Sequence, residues 1–315
     1  MDATTKALFG AAPAVERATT GSYGEAPSGF RLPTATRLGA AHLQVADLAR
    51  SLAFYEGTLG FRVTDRTPKH AALAAHGDSR VLIELQERAG AKPAGRRALL
   101  GLYHVAILLP DRQALGRFLR RMNELRVPVG AGDHLVSEAL YLSDPDGLGL
   151  EVYADRPRET WQRSGRELML ATDPVDVASL VEAAGPTPWT GMPAGTSIGH
   201  VHLHVGNLAE GARFYAEAVG FDKVTWRYPG ALFLGAGGYH HHLGTNTWAG
   251  PHAASAADDD ARLTRWTIEL PYHDAVAAVT ESLAKGGYQT RREGALTLAR
   301  DPWGTEVAFT VGDTR

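Results

Sequence analysis

Two stretches of equal length, LGAAHLQVADLARSLAFYEGTLGF (Leu38–Phe61) and IGHVHLHVGNLAEGARFYAEAVGF (Ile198–Phe221), align without a gap. They share Gly39/Gly199, His42/His202, Leu43/Leu203, Val45/Val205, Leu48/Leu208, Phe54-Tyr55/Phe214-Tyr215 and Gly60-Phe61/Gly220-Phe221. A chain that repeats itself at this scale builds the same supersecondary unit twice. Each copy alternates like a strand, then shifts to a helical spacing that buries Leu48 and Phe54 or their counterparts. A glycine stops the helix and more strands follow. Two shorter variants interleave with these, GLYHVAILLPDRQALGRFLRRMNEL (Gly101–Leu125) and RWTIELPYHDAVAAVTESLAKGGY (Arg265–Tyr288), each a strand, a proline and an amphipathic helix. Each variant runs on to an Asp-Pro-X-Gly hairpin, at Asp144 and again at Asp301. The reading is α+β, with four βαβββ modules beginning near Leu38, Gly101, Ser197 and Arg265.

Two ordinary domains fit within 315 residues. Modules one and two are expected as a first domain over 37–155, and modules three and four as a second over 197–315. Residues 1–36, rich in Ala, Thr, Gly and Pro without a period, are expected as a mobile arm. Residues 156–196 carry prolines and a helix-like run (Val175 to Ala184) and are expected to link the two domains. With 32 Lys and Arg against 35 Asp and Glu, and no basic run, a nucleic-acid partner is not expected. No apolar stretch is long enough to span a bilayer and no charged-then-apolar leader opens the chain, so a cytoplasmic protein without a membrane partner is expected. Cysteine is absent, which leaves His, Asp and Glu to hold any metal.

The stretch GDHLVSEALYLSDPDGLGLE (Gly132–Glu151) concentrates chemistry. Turn propensity accounts for Asp144-Pro145-Asp146-Gly147, but not for His134, Tyr141 and Glu151 around it. Histidines gather further on. His200, His202 and His204 alternate with Val201, Leu203 and Val205, so one strand face is wholly imidazole, where a solvated face would carry charged or hydroxyl side chains. His240-His241-His242 follows a glycine pair, Gly237-Gly238.

The order of His134, Leu140-Tyr141, the Asp-Pro-Asp-Gly turn and Glu151 resembles the signature of the extradiol ring-cleavage dioxygenases. These belong to the vicinal-oxygen-chelate superfamily, which also holds glyoxalases and bleomycin-resistance proteins; the likeness is strongest to the catechol 2,3-dioxygenase type. It covers nearly everything after the arm. It implies two vicinal-oxygen-chelate domains whose paired modules curl around a cleft, with metal ligands on two strand slots of each module. The first-strand slot holds Ala40, His104, His200 and Arg265, and the last-strand slot lies near Glu84, Glu151, His241 or His242, and Ala308. The fourth hairpin, DPWGTEVAF (Asp301–Phe309), lacks the signature Tyr and has Ala308 where Glu is expected. A site across modules two and three therefore follows, with His104, His200 and Glu151 as metal ligands.

Fe(II) is the metal implied, and Mn(II) suits the same donors. The resemblance gives His241 the acid–base role, although strand alternation would set His240 and His242 on the opposite face and leaves the choice open by one residue. It gives Tyr141 a hydrogen bond to the substrate oxygen, and His134 a hold on that oxygen or on the distal oxygen of O2. His202, His242 and Glu306 remain as alternative ligands or supports, the last two for a C-terminal site. Phe233, Tyr239 and Trp248 are candidate pocket walls, Phe233 leaning to core packing. The implied partners are a small aromatic diol and O2, with a 2-hydroxymuconic semialdehyde as product, and exposed sheet edges would allow a homo-oligomer. A glyoxalase-type isomerase with a four-donor metal set, or a metal-free resistance protein, are the alternatives.

Overall fold

The computed structural model describes residues 2–11, 14–94 and 99–312. All four first strands form where the alternation places them, at Arg37–Val45, Gly101–Leu108, Ser197–His204 and Arg262–Leu270. The helix of module two, Arg112–Glu124, starts where the Asp111 carboxylate accepts the Ala114 N–H, and it buries Leu115, Phe118, Leu119 and Met122 on one face. In modules one and three the helix begins at Asp47 or Asn207 and widens to π-helical turns over Ala53–Thr58 and Ala212–Ala218. The widened turns bury Tyr55 and Tyr215, whose hydroxyls donate to Asp144 (3.3 Å) and Asp301 (2.7 Å) in the hairpin of the next module.

Sheet pairing crosses the midpoint of the chain. One eight-stranded sheet joins module two to module three, in the order Asp222–Thr225, Ala231–Gly235, Leu243–Asn246, Ser197–His204, Gly101–Leu108, Gly149–Asp155, Ser137–Ser143, Gly130–Asp133. The other joins module one to module four through Arg37–Val45 and Arg262–Leu270. Residues 37–155 and 197–315 thus each contribute strands to both sheets. Each module leaves one edge of its first strand open, and side-chain periodicity reports the faces of a strand rather than its partner.

The arm and the linker are built in. Thr5–Phe9 is a short helix whose first N–H is held by Asp173 (2.9 Å), while the Thr172 N–H donates to the Ala3 carbonyl (2.8 Å). Glu16–Arg17 pairs with Gln162–Ser164 in a small third sheet, and Tyr23 and Leu32 are buried. The apolar anchors of the arm are too widely spaced to show a period, yet Tyr23 and Leu32 each find a socket on the body. The linker buries Trp161, Leu168, Leu170 and Leu180, the last within the helix Val177–Ala183. No helix among the described residues is long and apolar enough to cross a membrane.

Candidate active site

Four neighbouring strands of the sheet shared by modules two and three present one lateral row. His200 lies opposite Ala106, Ala106 opposite Glu151, and Glu151 opposite Tyr141. Residues aligned in this way share a face, and the small Ala106 leaves space above it. His104, two residues before Ala106, projects into that space from the same face. Its Nε2 lies 2.9 Å from Glu151 Oε2 and 3.3 Å from His200 Nε2, and His200 Nε2 lies 3.2 Å from the same carboxylate oxygen. Local sequence explains the closeness. Asp144 Oδ1 accepts the N–H groups of Asp146 and Leu148, and Gly147 takes the left-handed conformation (φ 81°) that closes the turn. Gly149 then lets the strands touch, since a Cβ there would lie 1.9 Å from the Tyr103 carbonyl oxygen.

All three side chains are buried, at 4, 2 and 2% exposure for His104, Glu151 and His200. Burial pushes both imidazoles below their ordinary value, towards the neutral form. Burial alone would raise Glu151, but the neighbouring imidazoles of His200 and His104 outweigh it and hold the carboxyl well below the usual range. Those two tendencies oppose each other, because the imidazoles stabilise the carboxylate best when charged. We take Glu151 as the one ionised group, since burial penalises a second charge. Glu151 Oε1 and His200 Nδ1 have no hydrogen-bond partner among the described residues. Two neutral imidazoles, a carboxylate with an unused oxygen and one negative charge suit a divalent cation.

Above this set opens a cavity of about 300 Å³. Tyr103, Tyr141, Leu170, Tyr228, Phe233 and Trp248 form most of its wall, and no described lining residue is a lysine or an arginine. His241 enters from the side of module three, its ring centroid 4.1 Å from that of His200. Residues 236–242 are not a strand, so alternation does not govern the three histidines; Gly237 (φ 61°) and Gly238 (φ 69°) turn the chain. His240 and His241 consequently meet, Nδ1 to Nδ1 at 2.7 Å, while His242 turns away to stack on Phe221. The arm braces this turn: Tyr23 donates to the Gly238 carbonyl at 2.7 Å.

A family model described as the glyoxalase/bleomycin resistance protein/dioxygenase superfamily matches residues 37–152 and again 197–309. The chain belongs to that superfamily. It is 44% identical over 280 residues to a Bacillus subtilis (strain 168) protein named catechol-2,3-dioxygenase, covering 88% of this chain and 98% of that one. Among solved structures, a putative dioxygenase from Bacillus subtilis superposes with a TM-score of 0.59 at 14% identity, covering 89% of this chain and 86% of the other. Glyoxalase I from Zea mays superposes with a TM-score of 0.50 at 16% identity, covering 88% of this chain and 92% of the other. At such identities these likenesses concern the fold alone.

Within this superfamily chain, the alternative ligands fall away from the converging set. Glu306 lies in the other sheet, ion-paired with Arg265 (3.4 Å), Arg291 (2.8 Å) and Arg300 (3.0 Å). His242 Nδ1 accepts the Ala236 N–H at 3.2 Å, and a C-terminal site built from His200, His242 and Glu306 does not form. His202 lines the cavity beside His104, but its Nε2 takes a hydrogen bond from Asn246 at 3.0 Å. His134 lines the cavity with both ring nitrogens engaged. Its Nδ1 donates to the Ala171 carbonyl (2.7 Å), and its Nε2 lies 2.5 Å from the Tyr141 hydroxyl. The Tyr141 hydroxyl reaches the cavity beside Glu151, and burial, with that carboxylate next to it, raises it well above its ordinary value. Phe233 and Trp248 do line the cavity, whereas Tyr239 donates to Asp155 at 3.3 Å instead.

Sequence reasoning missed Leu170, Ala171 and Thr172, which close one wall from the linker. The apolar run Leu168-Met169-Leu170-Ala171 inside a supposed tether was the available signal. It also passed over Tyr103, Tyr228, Asp155 and the partnership of His240.

His242 supplies a pH prediction. Burial, with His240 and His200 close by, lowers it from the ordinary 6.5 to about 3. A histidine kept neutral in the folded state stabilises fully above pH 6.5 and loses that contribution as the pH falls from 6.5 towards 3. Thermal melting of the unmodified chain is expected to drop across this window. His242→Gln should flatten the drop, and equal slopes for the two proteins would refute the assignment.

Proposed function

We propose that this protein is an Fe(II)-dependent extradiol dioxygenase that opens a catechol with O2 to a 2-hydroxymuconic semialdehyde. The observation that carries the proposal is the buried set of His104, His200 and Glu151 at the floor of an aromatic-walled cavity, with His241 and Tyr141 at its sides. The name of the 44% identical relative agrees with it. His104, His200 and Glu151 would hold the iron; two histidines and one carboxylate with open positions is the set that non-haem Fe(II) oxygenases use. Bound Fe(II) would supply Lewis acidity toward the diol and a path for electrons from the diol to O2. The three-donor set argues against the four-donor isomerase.

The remaining work falls to side chains. Phe233, Trp248, Tyr228 and Leu170 would sandwich the ring and exclude water. The His241 imidazole would take a hydroxyl proton from the diol and return it to the opened product; burial holds it well below its ordinary value, so it is neutral and ready to accept. Tyr141, held by His134, would hydrogen-bond the second diol oxygen. All atoms of catechol and O2 stay in the product. Tyr141→Phe is expected to lower kcat roughly 10-fold with little change in metal content, measured as steady-state oxygen uptake; an unchanged rate would remove Tyr141 from the mechanism.

The test of the function is anaerobic reconstitution with Fe(II), then catechol in air with absorbance and oxygen recorded together. A yellow product appearing with oxygen uptake is expected. Bound iron without colour or uptake would refute the dioxygenase.

A further inference from the structure

We propose that Asp155 and His240 form a relay behind His241, fixing its tautomer so that the Nε2 lone pair faces the cavity. The inference rests on His241 being the acid–base group proposed above. His240 is fully buried, with Nε2 2.8 Å from Asp155 Oδ1 and Nδ1 2.7 Å from His241 Nδ1. A carboxylate only accepts, so His240 Nε2 carries a proton and donates it. A neutral His240 then has its lone pair on Nδ1, and His241 must supply the proton between the two rings. That places the His241 proton on Nδ1 and its lone pair on Nε2. No hydrogen bond from His241 Nε2 to another described residue competes for it. The same logic orients the histidine of a serine hydrolase triad, here with a second imidazole inserted.

The carboxylate itself is anchored. Tyr239 donates to Asp155 Oδ1 at 3.3 Å, and the Tyr153 hydroxyl lies 2.7 Å from that of Tyr239. Tyr153 in turn fills the space over Gly199, where a Cβ would lie 1.8 Å from its oxygen. Glu151, Tyr153 and Asp155 alternate along one strand, so they share its face. One strand thus carries both the floor of the site and the outer end of the relay, where the Asp155 side chain is 27% exposed. When a diol hydroxyl gives its proton to His241 Nε2, the O–H bond breaks, an N–H bond forms, and no redox change occurs. The new imidazolium donates through Nδ1 to His240, which still donates to Asp155, and the carboxylate stabilises the charge without taking the proton.

The test compares Asp155→Asn and His241→Gln with the unmodified Fe(II)-loaded chain. Asp155→Asn should lower kcat roughly 10- to 100-fold with the KM for catechol changed less than about three-fold and iron retained. A purely structural role would instead cost iron or raise KM. The second readout needs no variant: nitrogen-15 NMR of the full chain loaded with diamagnetic Zn(II) should report His241 as the Nδ1–H tautomer. An Nε2–H tautomer, or full kcat in Asp155→Asn beside an inactive His241→Gln, overturns the relay and leaves the acid–base assignment standing. An active His241→Gln overturns that assignment and the relay with it.

Discussion

Glu151→Ala should emerge from iron reconstitution with essentially no metal, under conditions that load the unmodified chain, while Glu306→Ala loads in full. Both residues are glutamates on the last long strand of a module, and both meet two or more cationic or imidazole groups. They differ in what surrounds them. Glu306 is neutralised by three arginines that are themselves partly exposed, an arrangement complete without a metal. Glu151 is buried between two imidazoles that burial keeps neutral, with one oxygen unpartnered. Groups that merely support a metal ligand are worth 10- to 100-fold in affinity, so loss of the only charged donor should cost at least about 100-fold. Metal content after gel filtration reads this directly. Full retention in Glu151→Ala with loss in Glu306→Ala would place the metal in the other sheet.

The other large effect is expected at His241. His241→Gln should keep its iron and its KM for catechol to within about three-fold, yet lose roughly 10²- to 10⁴-fold in kcat, the range a positioned acid–base group supplies. Glutamine retains size and polarity but cannot exchange a proton. The ring of His241 touches that of His200 without joining the converging donors, which is why metal retention should be spared. Oxygen uptake under saturating catechol, with iron measured on the same sample, decides the matter. A kcat within about five-fold of the unmodified chain would move the acid–base role elsewhere in the cavity.

His104, His200 and Glu151 were legible because their signals are local: a repeat fixes the strand register, and a turn motif fixes the residues on either side of it. The sequence leaves His241 and its neighbours open by one residue, because alternation presumes a strand where Gly237 and Gly238 make a turn. Asp155 escaped notice because a single acid at a strand end looks like a solvated charge until His240 is seen against it. The arm escaped for a related reason. Tyr23 and Leu32 stand alone in a polar, alanine-rich stretch, and isolated anchors carry no period. A site shared by modules two and three follows from where the histidines fall, whereas the pairing of module two with three and of module one with four in the sheets does not.

That pairing orders events during synthesis. Every strand of the sheet bearing His104, Glu151 and His200 has been made once residue 246 is reached, so this sheet can close while the chain is still growing. Arg37–Val45, made first, waits longest, because its partner Arg262–Leu270 comes near the end. Until then an early strand stands with an open edge, the kind of surface on which nascent chains stick to one another and to which chaperones attend. The outer pair of modules, far apart in the chain, makes folding slow in the way that distant contacts do. The half that carries His104, Glu151 and His200 is an inner loop able to close early, and the outer half can fasten only late around it.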